Sequence, residues 1–500
     1  MKILILAYAS EPGAGSEYGV GWMVPHTMAR RYPQHEVYVL TRSRCKEKIN
    51  ETLNKRNGGV ASYKTLRYEN EYESGKEHRA EGIEIRGGEQ GTQHNPNLHY
   101  IFYDQPRWMT YPNEMQSRWG EQINYIVWQL MARHKVKSLH KKIHFDVIHH
   151  LTFNQYRTPS PGFWMDVPFV MGPVGGAERI ADVFWQDLEA HSLKKEKIRQ
   201  KGRDLKLFRW LCKRSDNLKV LLCSSQENMN RLRPYAEGCE VRVMPAIAME
   251  SDNENENENL QYDNETQRRC YENEYTIVYA GKALDWKGLH LFLRAASLAF
   301  HRDDRDSRTS RPYRIKLIGI RSEAEQTKVN RWVQEEGLTE HVELIPFMER
   351  TLLLKELRDC SLSVYPAFRD SGSMSVLEAC ALGSPVLCFD AGGQDIFPDE
   401  VLMKVPVGNT YEECVQSFAQ ALRKAYDHPD IAKAIGLSAQ HYVTSQLTWE
   451  QRVDDFMAIY ENENVNENEN VNENENVNDN DNVNENENEN VNENDNDNDH

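Results

Sequence analysis

The chain has 500 residues, with 60 Lys and Arg against 77 Asp and Glu and a formal net charge of −17. That length exceeds what one hydrophobic core normally holds, so two domains of ordinary size with appendages are expected. All of the excess acid sits in two asparagine-rich runs, 251–265 and 461–500, which contain no Lys or Arg, and the mildly basic remainder shows no recognition-helix, zinc or aromatic-basic pattern, which argues against a nucleic-acid reader.

In chain order, KILILAYA opens the sequence as a strand. Ala7 and Ala9 could precede a signal-peptide cleavage point, but the apolar run is too short for one. A glycine-rich loop follows, then a helix beginning near Trp22 and the strand HEVYVLT. The charged stretch 71–97 reads as a surface insertion, after which FDVIHHLTF, VPFVMGPVGG, KVLLCSSQ and CEVRVMPAI resume the strand pattern. Continuous apolar runs bounded by turn residues and separated by helical patterns indicate a parallel sheet covered on both faces. Two basic runs interrupt the series, 133–144 and 193–214. Each reads either as a solvated helix face or as an amphipathic surface for anionic lipid, because Leu205, Leu207, Phe208, Trp210 and Leu211 accompany the cations of the second.

The polar stretch 251–274 is the expected linker between a first domain, 1–250, and a second, 275–445. The second repeats the alternation through TIVYAG, LHLFLRAASLAF, RIKLIGI, VELIPF, LSVYPAF, SVLEACALG and PVLCFDAGG. A final helix over 446–460 opens on Thr448 as its N-cap. The repetitive tail 461–500 offers too little apolar surface to offset the entropy of ordering, so disorder is expected there, and its Asp-Asn-Asp triplets receive no function. Nine cysteines without CxxC pairs or metal-ligand spacing indicate reduced thiols, no structural metal and a cytoplasmic setting. No stretch approaches the roughly 18 apolar residues that span a bilayer.

The chemistry concentrates in FRDSGSMSVLEACALGSPVL, where Asp370 and Glu378 flank seven residues. A strand, a small-residue loop of Ser371, Gly372 and Ser373, and a helix N-terminus present unpaired N–H groups and a positive dipole end, which suits a diphosphate. Acids beside such a cradle are placed to accept hydrogen bonds from sugar hydroxyls on either side of the diphosphate, which describes a nucleotide sugar. Lys282 and Lys287 in GKALDWKG, beside Gly281, follow the first strand of the second domain and can neutralise diphosphate charge. Gly13, Ala14 and Gly15 follow the first strand of the first domain, but Tyr18 occupies the third glycine position of a dinucleotide fingerprint and no acid ends the second strand, so a dehydrogenase is excluded. Glu11 and Glu17 flank that loop and are expected to face the acceptor, while His149 and His150, which end another strand, and Gly175 and Gly176, which follow the next, are expected to line the same cleft as sugar or acceptor contacts.

These segments, AYASEPGAGSEYGVGW, HHLTFNQYRTPSP with GPVGGAE, GKALDWKG and the Asp370 to Glu378 stretch, resemble glycosyltransferase family 4 over about residues 1–460 without the insertions. The resemblance implies the GT-B fold, two Rossmann-like doubly wound α/β domains with a cleft between them, and hexose transfer from a nucleoside diphosphate sugar with retention and without a metal. It implies that Glu378 holds the ribose, Asp370 the donor hexose, and the Gly13 to Gly15 loop the diphosphate from the opposite side. It further implies that a histidine of the first domain, here His150, contacts a sugar hydroxyl. This chain departs from the family's usual pattern at Asp370, where Glu is commoner, and at Lys282, where Arg is commoner. The expected acceptor is a glycan or lipid-linked glycan of a bacterial surface polysaccharide, with peripheral contact to an anionic membrane. A soluble-acceptor synthase of sucrose or glycogen type, a catalytically silent sugar-nucleotide-binding scaffold, and an epimerase or phosphorylase on the same architecture are the alternatives.

Overall fold

The computed structural model describes residues 1–56, 96–111, 118–250, 274–300, 311–372 and 374–462. The expected insertion at 71–97 lies almost wholly outside the described residues, as do the linker at 251–273, the tail from 463 and Ser373. The chain divides into a unit over Met1–Val453 and a second over Asp454–His500. The first unit holds both sheets.

The first sheet is formed by β1 (Lys2–Leu6), β2 (Glu36–Thr41), β3 (Leu98–Phe102), β4 (Val147–His150), β5 (Phe169–Val174), β6 (Leu218–Cys223) and β7 (Glu240–Val243). Its order is β3-β2-β1-β4-β5-β6-β7, and every pairing is parallel. The second sheet is formed by β8 (Tyr275–Ala280), β9 (Tyr313–Ile318), β10 (Val342–Ile345), β11 (Leu362–Tyr365), β12 (Val386–Phe389) and β13 (Met403–Val405), in the order β10-β9-β8-β11-β12-β13, again all parallel. In each sheet the strand order reverses once, between β1 and β4 and between β8 and β11. Such a reversal opens a crevice outside the carboxyl ends of the strands, which is where ligands sit in open α/β sheets.

The helices of the first half are α1 (Ser16–Arg31), α2 (Lys46–Arg56), α3 (Arg118–Ile143), α4 (Ala190–Gln200), α5 (Arg203–Cys212) and α6 (Gln226–Leu232). Those of the second are α7 (Leu289–Phe300), α8 (Glu323–Glu335), α9 (Arg350–Asp359), α10 (Met374–Ala381), α11 (Tyr411–Asp427) and α12 (Pro429–Gln446). Side-chain caps begin several of them: Ser225, Ser322 and Thr410 each accept the N–H three residues on. The final helical stretch, 449–462, begins after Thr448, whose Oγ1 accepts the Gln451 N–H at 3.2 Å.

Helix α1 starts at Ser16, six residues before the expected Trp22. Gly19 and Gly21, which read as loop residues in sequence, are helical because the helix lies directly against the turn after β1. A Cβ on Gly21 would come within 1.9 Å of the Ala9 carbonyl oxygen. The basic run 133–144 is the end of α3, a 26-residue helix.

Each sheet has its own core. Leu4, Leu6, Ile148, Phe169, Met171 and Leu221 are fully buried in the first, and Ile277, Phe292, Ile315, Leu317 and Phe418 in the second. The segment after β5 does not stay with the first sheet. Ile180, Phe184 and Leu188 pack into the core of the second, and the Phe184 ring stacks on Phe368 with centroids 4.1 Å apart and 7° between planes, while Phe389 closes the other side at 5.2 Å. Polar contacts extend the graft: Asp187 accepts from the Tyr411 hydroxyl at 2.7 Å and pairs with His290 at 3.0 Å, and Asp285 accepts the Glu189 N–H at 2.9 Å. At the far end the chain returns, with Glu450 paired to Arg30 of α1 at 2.8 Å. Truncating a fully buried aromatic leaves a cavity, and Phe184→Ala is expected to lower unfolding stability by about 3–5 kcal/mol, read as a drop in the denaturant midpoint of the transition followed by far-UV circular dichroism.

Candidate active site

The loop after β11 carries Arg369, Asp370, Ser371 and Gly372 and leads into α10. Its path is fixed from below by Gly392 and Gly393: the Gly393 N–H donates to the Asp370 carbonyl at 2.7 Å, and a Cβ on Gly392, whose φ is +61°, would meet that same oxygen at 2.7 Å. Side chains larger than hydrogen there would push the loop away. One carboxylate oxygen of Asp370 accepts the Ser371 N–H at 2.8 Å, and the other meets the Lys287 ammonium at 2.6 Å. Lys287 ends a 3-10 turn, Asp285–Lys287, after β8, so the two reversal-point strands β8 and β11 supply the pair. The Tyr365 hydroxyl closes the cluster by bonding both Asp370 and Lys287, and the Lys287 ammonium lies 4.7 Å from the Tyr365 ring centroid. In the sequence Tyr365 carries no signal of this role and reads only as the last residue of a buried strand.

Glu378 lies on α10, with its side chain only 8% exposed, and pairs with Arg350 at the start of α9 at 2.6 Å. The Arg350 side chain is 65% exposed. The carboxylate is thus buried while the guanidinium that pairs with it is open to water. Lys282 is exposed, and its carbonyl accepts the Tyr279 hydroxyl at 2.7 Å. The Gly281 N–H donates to the Ile318 carbonyl at 2.9 Å, so it serves the sheet and is not a free donor for an anion.

On the facing side, Gly13 and Gly15 border open space, since a Cβ on either would meet nothing within 4 Å. They precede α1, whose N-cap Gly15 offers no side-chain cap. The first-turn N–H groups therefore point out of the loop without the hydroxyl acceptors that cap α6, α8 and α11. Glu11 pairs with Lys48 of α2. Glu17, in the first turn of α1, accepts the Phe153 N–H at 2.9 Å, and burial holds its carboxyl above the usual range despite that bond. Phe153, in the loop after β4, has a φ of +57°, a left-handed conformation that costs a bulky residue of order 1 kcal/mol or more. Gly175 and Gly176 reach across to the second half: the Gly176 N–H donates to Ser371 Oγ at 3.3 Å, and a Cβ on Gly175 would sit 2.7 Å from that oxygen.

The two histidines are not brought to this site. Both are fully buried. His149 Nε2 donates to the Gly172 carbonyl at 2.7 Å, and His150 Nε2 to the Thr152 carbonyl at 3.1 Å. His150 Nδ1 meets no partner among the described residues. β4 lies inside the sheet between β1 and β5, and Tyr125 and Gln129 of α3 close over the His150 ring, which corrects the expected opening of His150 onto the cleft. Burial lowers His149 to about 4 and His150 to about 3, so both are neutral at pH 7. A histidine whose folded pKa is depressed favours folding above its unfolded value near 6.5 and disfavours it as pH falls toward the folded value. Stability is expected to fall as pH drops from about 6.5 toward 4, and replacing His150 by Gln should flatten that slope in urea titrations at stepped pH.

Among the described residues every cysteine is a free thiol, no helix is long and apolar enough to cross a membrane, and no group of three or more His, Cys, Asp or Glu could hold a metal ion.

Residues 263–442 match the family model described as Glycosyl transferases group 1. A D-inositol 3-phosphate glycosyltransferase of Gordonia bronchialis is 28% identical over 193 residues, which cover 38% of this chain and 40% of that protein. The chain thus matches about two-fifths of the length of its curated relatives. Sucrose-phosphate synthase of Thermosynechococcus elongatus superposes with a TM-score of 0.57 at 14% identity, covering 92% of this chain and 98% of that one. Anabaena HepE, solved in complex with UDP, superposes with a TM-score of 0.52 at 14% identity, covering 92% and 100%. At these identities the likeness is one of fold, and the fold is GT-B.

Proposed function

We propose that the protein is a retaining glycosyltransferase that moves a hexose from a nucleoside diphosphate sugar to a hydroxyl of a glycan or lipid-linked glycan, in the synthesis of a bacterial surface polysaccharide. The observation that carries this reading is the Asp370, Lys287 and Tyr365 cluster at the carboxyl ends of β8 and β11, with Glu378 buried one helix turn beyond the loop. Without a donor, Lys287 and Asp370 neutralise each other. With one, Lys287 turns to the diphosphate and Asp370 accepts from the hexose hydroxyls, while Glu378 exchanges Arg350 for the ribose. The match of 263–442 to glycosyl transferases, which contains all four residues, supports the assignment, as does the UDP bound to the similarly folded HepE.

In the proposed step the acceptor oxygen bonds to the anomeric carbon from the face that the diphosphate leaves. The bond from that carbon to the diphosphate oxygen breaks, and the departing phosphate takes the acceptor's proton. Lys287, the exposed Lys282, and the N–H groups at Gly372 and the uncapped start of α1 stabilise the charge that develops, with no resident metal. No side chain at the site is assigned as a covalent nucleophile.

A lipid-linked acceptor is favoured by the outer faces of α3 and α5. Ile123, Ile126 and Leu130 are exposed at helical spacing on α3, and Trp164 is exposed with Arg133 at 5.5 Å from its ring centroid. Leu207 and Trp210 are exposed on α5, with Arg214 4.7 Å from the Trp210 ring centroid. Apolar and aromatic side chains among cations suit an anionic bilayer surface, so the protein works as a peripheral enzyme at the cytoplasmic face.

The test is a thermal-shift panel of UDP, GDP and ADP with their hexose conjugates on the full chain. Ligand at about 100 times its dissociation constant adds roughly 2.7 kcal/mol and raises the melting temperature by several degrees. One nucleotide class is expected to shift the transition, Glu378→Gln to weaken that class about tenfold or more, and Asp370→Asn to remove the advantage of the sugar conjugate over the free nucleotide. Absence of any shift would point instead to a scaffold.

A further inference from the structure

The residues on both sides of Asp370 are held by glutamates from the other half of the chain. Arg369 Nη1 pairs with Glu196 Oε2 at 2.8 Å, and the Glu196 side chain is 2% exposed. The other Glu196 oxygen accepts the Ile180 N–H at 3.0 Å, and Arg199 lies 3.6 Å away. Ser371, on the opposite flank, accepts from the Gly176 N–H, which Glu178 also accepts, at 2.8 Å, and so holds in place. Glu178 is 1% exposed, and it accepts the Asn228 side-chain amide as well.

Glu196 is buried between two guanidiniums, and the shorter pair, 2.8 Å to Arg369 against 3.6 Å to Arg199, ties Arg369 to the stretch 176–200. Arg369 and Ser371 are the chain neighbours of Asp370, and the Asp370 carbonyl is tied to Gly393 from below. The loop is therefore fixed at three points, two of which belong to the stretch 176–200. Glu378 lies outside this arrangement and is paired with Arg350.

We propose that Glu196 and Glu178 are positioning residues that, through Arg369 and Ser371, set the carboxylate of Asp370 against the donor hexose. The inference rests on the transferase reading above for the identity of the ligand. The placement of the loop is physical and is testable without it. Because the nucleotide end is gripped elsewhere, loosening the loop costs transfer and sugar recognition while sparing nucleotide binding. A displacement of about 1 Å at a reacting group lowers the rate by about 100-fold.

The test uses the full chain with Glu196→Gln, which keeps the side-chain shape and removes the charge, and Arg369→Lys, which keeps the charge and loses the fork. In the ligand-free protein, hydrogen exchange of the amides at 369–372 is expected to rise about tenfold in Glu196→Gln, with exchange in β8 and β9 unchanged. Equal exchange in variant and wild type would overturn the positioning role whatever the ligand is. With the nucleotide sugar that gives the largest thermal shift, kcat is expected to fall 10- to 100-fold, with the Kd for the free nucleotide within about twofold of wild type. The double variant should be no worse than the poorer single one, as for two residues of one unit. A matched loss of nucleotide affinity and kcat, or full kcat in a folded variant, would overturn the proposal. If wild-type protein binds no nucleotide while the loop still loosens, the transferase reading fails and the anchoring of the loop stands.

Discussion

Phe184 belongs to the first half of the chain by sequence and to the second by packing. Its ring fills the space between Phe368, which immediately precedes the acid loop, and Phe389, which ends β12. Two parallel sheets joined only by a linker would be free to rock, since interfaces of that kind are ordinarily polar and modest. An aromatic stack in a dry core is a different kind of joint, because separation exposes the ring and opens a hole in the second core. The graft brings the stretch after β5 to the edge of the acid loop, and the glutamates of that stretch then reach Arg369 directly and Ser371 through the Gly176 N–H.

The placement of charge follows from the same geometry. Parallel strands send all their carboxyl ends one way, so the loops after β8 and β11 converge without any special sequence device. Lys287 and Asp370 are 83 residues apart and meet at 2.6 Å because their strands are neighbours. Tyr365, the last residue of β11, supplies a hydroxyl that both can share, which keeps the pair ordered although each side chain is about one-fifth exposed.

Much of this is legible in the amino-acid sequence. The apolar runs of β1, β4, β5, β8 and β11 announce buried parallel strands, and the small-residue loop between Asp370 and Glu378 announces a site, because both signals are local. The start of α1 is not legible in the same way, because Gly19 and Gly21 argue for a loop when read as propensity. Their true role is clearance, of Gly21 beneath the Ala9 carbonyl and of Gly19 beneath the Ala14 carbonyl, a steric demand that overrides the local propensity. His150 misleads for a related reason: a strand end and a cleft wall look alike in sequence, and Tyr125 and Gln129 of α3, more than 20 residues away, close over its ring. Arg350, Tyr365 and Glu196 leave no local trace at all. Each matters through a contact, and the contact between Glu196 and Arg369 spans 173 residues.

If Glu378 holds a ligand as proposed, its ion pair with Arg350 makes the unliganded protein its own competitor. A ligand that needs the Glu378 carboxylate must first evict a guanidinium that already satisfies it, and part of its intrinsic affinity is consumed in doing so. Arg350 is mostly exposed, so eviction returns it to water at little cost, and dissolved salt weakens its hold. Under the proposed function the exchange would act as a threshold, passing a molecule that also engages Lys287 and Asp370 and turning away fragments with one weak hydroxyl contact.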